Sequence, residues 1–110
     1  NFKKNTFKYS KRVSIVKITS NKFFKKYKLK KFDLIYIDGS HKYKDVLDDS
    51  KQAFIRLKKN GIIIFDDFLW INDGQKKQPF NALMEFLEKN NRKLKILYVD
   101  YQLIIMKTNN

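Results

Sequence analysis

Two short runs in this chain, FDLIYI at Phe32 to Ile37 and GIIIF at Gly61 to Phe65, are apolar without regular polar alternation, and each closes in acid. The first is followed by Asp38 and the second by the pair Asp66-Asp67. Runs of this kind suit strands covered on both faces, as in a parallel sheet. Between them Tyr43, Val46, Leu47, Ser50, Ala53, Phe54 and Leu57 recur at steps of three and four, which makes one continuous helical face, with Asn60-Gly61 as its C-terminal stop. The unit is a strand, a helix and a strand. Its crossover should be right-handed, with the two strands parallel and close in one sheet.

The flanking segments extend this pattern. Val13 to Ile18 alternates as a strand does, and Ser20 can cap a short helix with Phe23, Phe24 and Tyr27 on one side and lysines on the other. Direct parallel pairing of Val13 to Ile18 with Phe32 to Ile37 is expected, the short helix serving as crossover. After Pro79, the positions Phe80, Leu83, Met84 and Leu87 predict a second amphipathic helix that ends at Asn90-Asn91. Leu94 to Val99 and Gln102 to Lys107 are separated by so little chain that they must form an antiparallel hairpin around Asp100. The fold class expected is α/β, a mostly parallel sheet with a C-terminal antiparallel hairpin.

Composition narrows the function classes. At 110 residues the chain is one small domain at most, and 43% hydrophobic content lets it bury a core. There is no cysteine, which removes disulfide frameworks, zinc ribbons and thiol catalysis. No apolar run approaches the roughly 18 residues of a membrane helix, and Asn1 to Lys8 lacks the apolar centre of a signal peptide, so a soluble cytoplasmic protein without a membrane partner is expected. The 25 Lys and Arg against 11 Asp and Glu give +14, the footprint of a phosphate binder. Only Arg12, Arg56 and Arg92 are arginine, however, whereas recognition of bases and phosphates favours the guanidinium fork. Abundant lysine, asparagine and isoleucine are also what AT-rich coding yields, so a basic nucleic-acid-binding module stands as the alternative and not as the first reading.

Chemistry concentrates at the strand ends. In an open α/β sheet ligands sit outside the carboxyl ends of the strands, and neighbouring ends lie roughly 5 Å apart. Asp38, Asp66 and Asp67 gathered there would repel one another unless a cation or protons intervened, and hard oxygen donors suit Mg²⁺. Individually they also read as turn or cap residues. His41, the single histidine, lies three residues beyond Asp38 in the loop before the helix. It reads either as a structural residue or as a general base, since imidazole exchanges protons near neutral pH. Phe68 and Trp70 either wall a pocket or simply pack.

The string IDGSHKYKDVLDDSKQAFIRLKKNGIIIFDDFLW, Ile37 to Trp70, resembles class I S-adenosylmethionine-dependent methyltransferases of the small-molecule group that carries IDG-S-H after one strand and DD-aromatic after the next. Phe2 to Asn5 resembles that family's F-x-x-N helix segment, Val13 to Ser20 its third strand, and Tyr101 to Lys107 its closing strand. The resemblance implies a Rossmann-like sheet and metal-assisted methyl transfer to a small-molecule or sugar hydroxyl. It implies Asp38, Asp66 and Asp67 as ligands of Mg²⁺ or a similar cation, and His41 as general base. Ser20, Asp38 and Gly39 correspond to cofactor-binding positions. The family's glycine-rich loop has no counterpart among Gly39, Gly61 and Gly74. The chain is therefore expected to be the later part of such a domain, inactive alone. A metal-dependent phosphotransfer domain, and a noncatalytic remnant that self-associates as a homo-oligomer through an open sheet edge, are the remaining readings.

Overall fold

The computed structural model describes residues 24–26, 28, 30–38, 41–69 and 78–109. The expected strand Val13 to Ile18, its pairing, and Ser20, Gly39 and Trp70 lie outside the described residues. Within them the order is β1 (Phe32–Ile37), α1 (Tyr43–Ile55), β2 (Leu57–Phe65), α2 (Gln78–Lys89), β3 (Leu94–Val99) and β4 (Leu103–Lys107). These four strands form one sheet in the order β1-β2-β4-β3. The strand, helix, strand unit is present as read, with β1 and β2 parallel and adjacent. β4 then inserts antiparallel between β2 and β3, and the hairpin turns at Asp100, whose N–H donates to the Gln102 carbonyl at 2.9 Å. One of the three described pairings is thus parallel, in a mixed α/β sheet.

Both helices present apolar stripes at helical spacing. In α1 the buried positions are Val46, Ser50, Ala53 and Phe54, and in α2 they are Pro79, Ala82, Leu83, Phe86 and Leu87. Met84, expected on the inner face, is 45% exposed, because the stripe that opens at Pro79 runs through Ala82 and Phe86 instead. On the sheet, alternation selects Gly61, Ile63 and Phe65 of β2 and Leu103, Ile105 and Lys107 of β4 as buried positions. Phe86 stands at the junction, edge-on to Phe54 at 5.4 Å and to Phe65 at 5.9 Å between ring centres. Among the described residues no helix is long and apolar enough to cross a membrane.

The first helix ends earlier than its periodicity suggests. It stops at Ile55, and Leu57, 1% exposed, pairs with Phe32 as the first residue of β2. Two cations account for the stop. Arg56 donates through Nη1 to the Gln52 carbonyl at 2.9 Å, and Lys107 donates through Nζ to the carbonyls of Phe54 at 2.9 Å and Leu57 at 3.1 Å. The bonds to Gln52 and Phe54 satisfy carbonyls that a helix end leaves orphaned, and the bond to Leu57 ties down the first residue of β2. The pairing then slips, since Phe32 faces Leu57 but Leu34 faces Ile62, so Lys58 to Gly61 bulge out of β2 with Asn60 at φ 68°. Asn60-Gly61 is therefore a bulge within the strand and not the helix stop.

Gly61 is fixed by close approach. A Cβ there would meet Leu57 Cδ1 at 2.7 Å and the Lys58 carbonyl oxygen at 2.8 Å. Gly61→Ala should consequently destabilise the fold by roughly 1–3 kcal/mol, the cost of overpacking, which urea denaturation would measure.

Candidate active site

The carboxyl ends of β1 and β2 bring the acids together. The Asp66 N–H donates to the Ile37 carbonyl at 3.0 Å, which prolongs the parallel pairing one residue past Phe65 and sets Asp66 beside the end of β1. Asp67 follows at φ 56°, a left-handed conformation that aspartate tolerates better than most residues, and its N–H donates to Asp66 Oδ1 at 2.9 Å. That turn brings its carboxylate to His41, with Nε2 2.8 Å from Oδ2. Both side chains are partly accessible, 34% for His41 and 23% for Asp67.

Asp66 is held by three donors: Tyr36 Oη at 2.6 Å on Oδ2, with the Asp67 N–H at 2.9 Å and Gln102 Nε2 at 3.4 Å both on Oδ1. Burial alone would push this carboxyl up, but those hydrogen bonds and the nearby His41 together hold it below the ordinary carboxylate range. Asp38 moves the other way. Burial raises it first, then repulsion from Asp66 and Asp67, against a smaller opposing effect of His41. Tyr36 is pushed well up, by burial and then by its bond to Asp66. The phenol of Tyr101, at the hairpin turn, is raised by burial and then by a hydrogen bond to Asp67.

The expected residues Asp38, His41, Asp66 and Asp67 thus influence one another at one end of the sheet, whereas Ser20 and Gly39 lie outside the described residues. Tyr36, Gln102 and Tyr101 complete the cluster without having been singled out. Tyr36 was within reach of sequence reasoning, because it stands two residues before Asp38 and successive odd or even strand positions share a face. Gln102, expected at the start of the last strand, lies in the turn, because β4 begins at Leu103.

Both oxygens of Asp66 accept hydrogen bonds and Asp67 Oδ2 is paired with His41. Among the described residues no group of three or more histidine or acidic side chains is arranged to hold a metal ion.

A family model described as a methyltransferase domain matches residues 1–68. The chain belongs to that family. No curated protein matches the sequence. Among solved structures, this methyltransferase chain is similar to the O-methyltransferase NovP, with a TM-score of 0.57 at 16% identity over 72% of this chain and 31% of that one. It is also similar to a Staphylococcus aureus protein bearing the provisional name caffeoyl-CoA O-methyltransferase, with a TM-score of 0.61 at 18% identity over 97% of this chain and 57% of that one. At such identities the likeness is one of fold, Rossmann-like in both cases, and the methyltransferase chain spans under two thirds of either neighbour.

Tyr36→Phe isolates one of the Asp66 donors. The variant should titrate Asp66 closer to the ordinary range, because the ionised form loses its shortest hydrogen bond. Stability contributed by a depressed carboxyl is present above its unfolded pKa and lost as pH falls through the folded value. The variant should therefore lose less stability on acidification than the parent chain does, as carboxyl NMR titration and acid denaturation would record.

Proposed function

We propose that this chain supplies the acceptor-activating part of an S-adenosylmethionine-dependent O-methyltransferase acting on a small-molecule or sugar hydroxyl. The observation that carries the reading is the His41–Asp67 pair at the carboxyl end of the parallel strands, at 2.8 Å. With Nε2 as the donor to Asp67, the neutral imidazole accepts a proton at Nδ1. Asp67 fixes the ring and stabilises the imidazolium that proton uptake creates, as a carboxylate behind a histidine base does. S-adenosylmethionine, when bound, supplies the electrophilic methyl group. By the family resemblance, Asp38, Ser20 and Gly39 correspond to positions that would hold this cofactor. With that cofactor bound, His41 would take the acceptor's hydroxyl proton while the acceptor oxygen received the methyl group, the displaced electron pair staying with the cofactor's sulfur. Asp66, kept ionised by Tyr36, Gln102 and the Asp67 N–H, holds the turn on which Asp67 is presented.

Assistance by Mg²⁺ or a similar cation is a second reading, favoured by the gathering of Asp38, Asp66 and Asp67 at one end of the sheet, where burial first and then repulsion from Asp66 and Asp67 push Asp38 up. It requires Asp66 and Asp67 to exchange their present partners for an ion. Transfer of a labelled methyl group to a panel of hydroxyl acceptors, in a domain that carries these residues together with a glycine-rich cofactor loop, tests the main reading. Chelation tests the second, which predicts turnover lost with EDTA and restored with Mg²⁺. A domain that binds S-adenosylmethionine and methylates only nitrogen or carbon acceptors would contradict the assignment to oxygen.

A further inference from the structure

The opposite pole of the sheet carries a different chemistry. Lys31 precedes β1, Lys58 and Lys59 stand in the bulge that opens β2, and Lys107 closes the antiparallel β4, so all four reach the end of the sheet remote from Asp38 and Asp66. Together with Leu57 they line an open pocket of ≈ 460 Å³, and among the described residues no carboxylate lines it. Lys107 is built in and not merely appended. It is 6% exposed, lies 4.8 Å over the Phe54 ring, and donates to two carbonyls, which leaves the third proton of its ammonium to be placed.

We infer that this lysine-lined pocket is a binding site for a small polyanion of the oligophosphate class, separate from the acidic pole. An ammonium is a compact point charge suited to phosphate oxygens, and several converging on one cavity raise the local concentration of such an anion. Lys31 donates through Nζ to the Ile55 carbonyl at 2.6 Å, but little negative charge compensates the group. Asp33 reaches Lys58 only at 3.6 Å and is 82% exposed, while burial first, and then Lys31 and Lys93, push the Lys107 ammonium below its ordinary value. A bound polyanion would relieve that repulsion. An extended single-stranded nucleic acid fits less well, because such strands are held by aromatic platforms along a groove and, among the described residues, no aromatic side chain lines this pocket.

Titration of the purified chain with sodium tripolyphosphate at fixed ionic strength, followed by NMR, tests the inference. Resonances of residues 31, 57–59 and 107 should shift together. Lys31→Gln with Lys59→Gln should weaken binding at least tenfold, while Lys44→Gln with Lys51→Gln, on exposed positions of α1, should change it less than twofold. The two double variants remove equal charge, so equal losses would mean nonspecific attraction and overturn the site. Shifts spread over every lysine, or none at saturating tripolyphosphate, would overturn it as well.

Discussion

Phe86→Ala should cost this fold roughly 3–5 kcal/mol, the range for truncating a buried aromatic, against a total stability of about 5–15 kcal/mol for a domain of ordinary size. The side chain is 1% exposed and meets Phe54 of α1 and Phe65 of β2 edge-on, so one truncation opens a cavity between both helices and the sheet. Those neighbours belong to two elements, α1 and β2, and cannot collapse into the space without moving one of them, which places the expected value at the upper end. Met84→Ala is the control. It lies on the same helix at 45% exposure and should change stability by less than about 0.5 kcal/mol. Chemical denaturation of both variants measures the difference, and equal midpoints would mean that α2 does not dock through the Phe86 face.

Much of this architecture was legible because its signals were local. FDLIYI reads as a strand, and the structure begins and ends β1 at the same residues. The hairpin around Asp100 follows from chain length alone, since two strands so close in sequence have no other way to pair. The misread stretch was Leu57 to Gly61. Helical spacing carries Leu57 onto the α1 face, but Arg56 and Lys107 take up the helix-end carbonyls of Gln52 and Phe54 and Phe32 pairs with Leu57, so tertiary partners far along the chain overrule the local period. Periodicity cannot register a cation that arrives from 50 residues away. The same holds at the acidic pole. Asp38, His41, Asp66 and Asp67 were readable from their places at strand ends, whereas the donation of Tyr36 and Gln102 to Asp66 depends on distances that only the assembled sheet supplies.

His41→Ala carries the other large expected effect. If the imidazole accepts the hydroxyl proton in the transition state, its removal should slow methyl transfer by about 10²–10⁴, the usual contribution of a positioned general base. Asp67→Asn should also slow transfer, because it removes the charge behind the ring and replaces an acceptor oxygen by an NH2 donor that disfavours the Nε2–H tautomer. Neither substitution should change the affinity for S-adenosylmethionine appreciably, since neither side chain stands at a position expected to hold the cofactor. A rate loss with intact binding is the signature of an interaction made in the transition state and not in the ground state.

The most direct measurement pairs single-turnover methyl transfer with equilibrium S-adenosylmethionine binding, for the parent domain and its His41→Ala variant. The acidic pole acting as the acceptor-activating site predicts a rate at least a hundredfold lower with cofactor affinity unchanged within about twofold. An unchanged single-turnover rate would contradict it and leave His41 as a residue that only steadies the Asp67 turn.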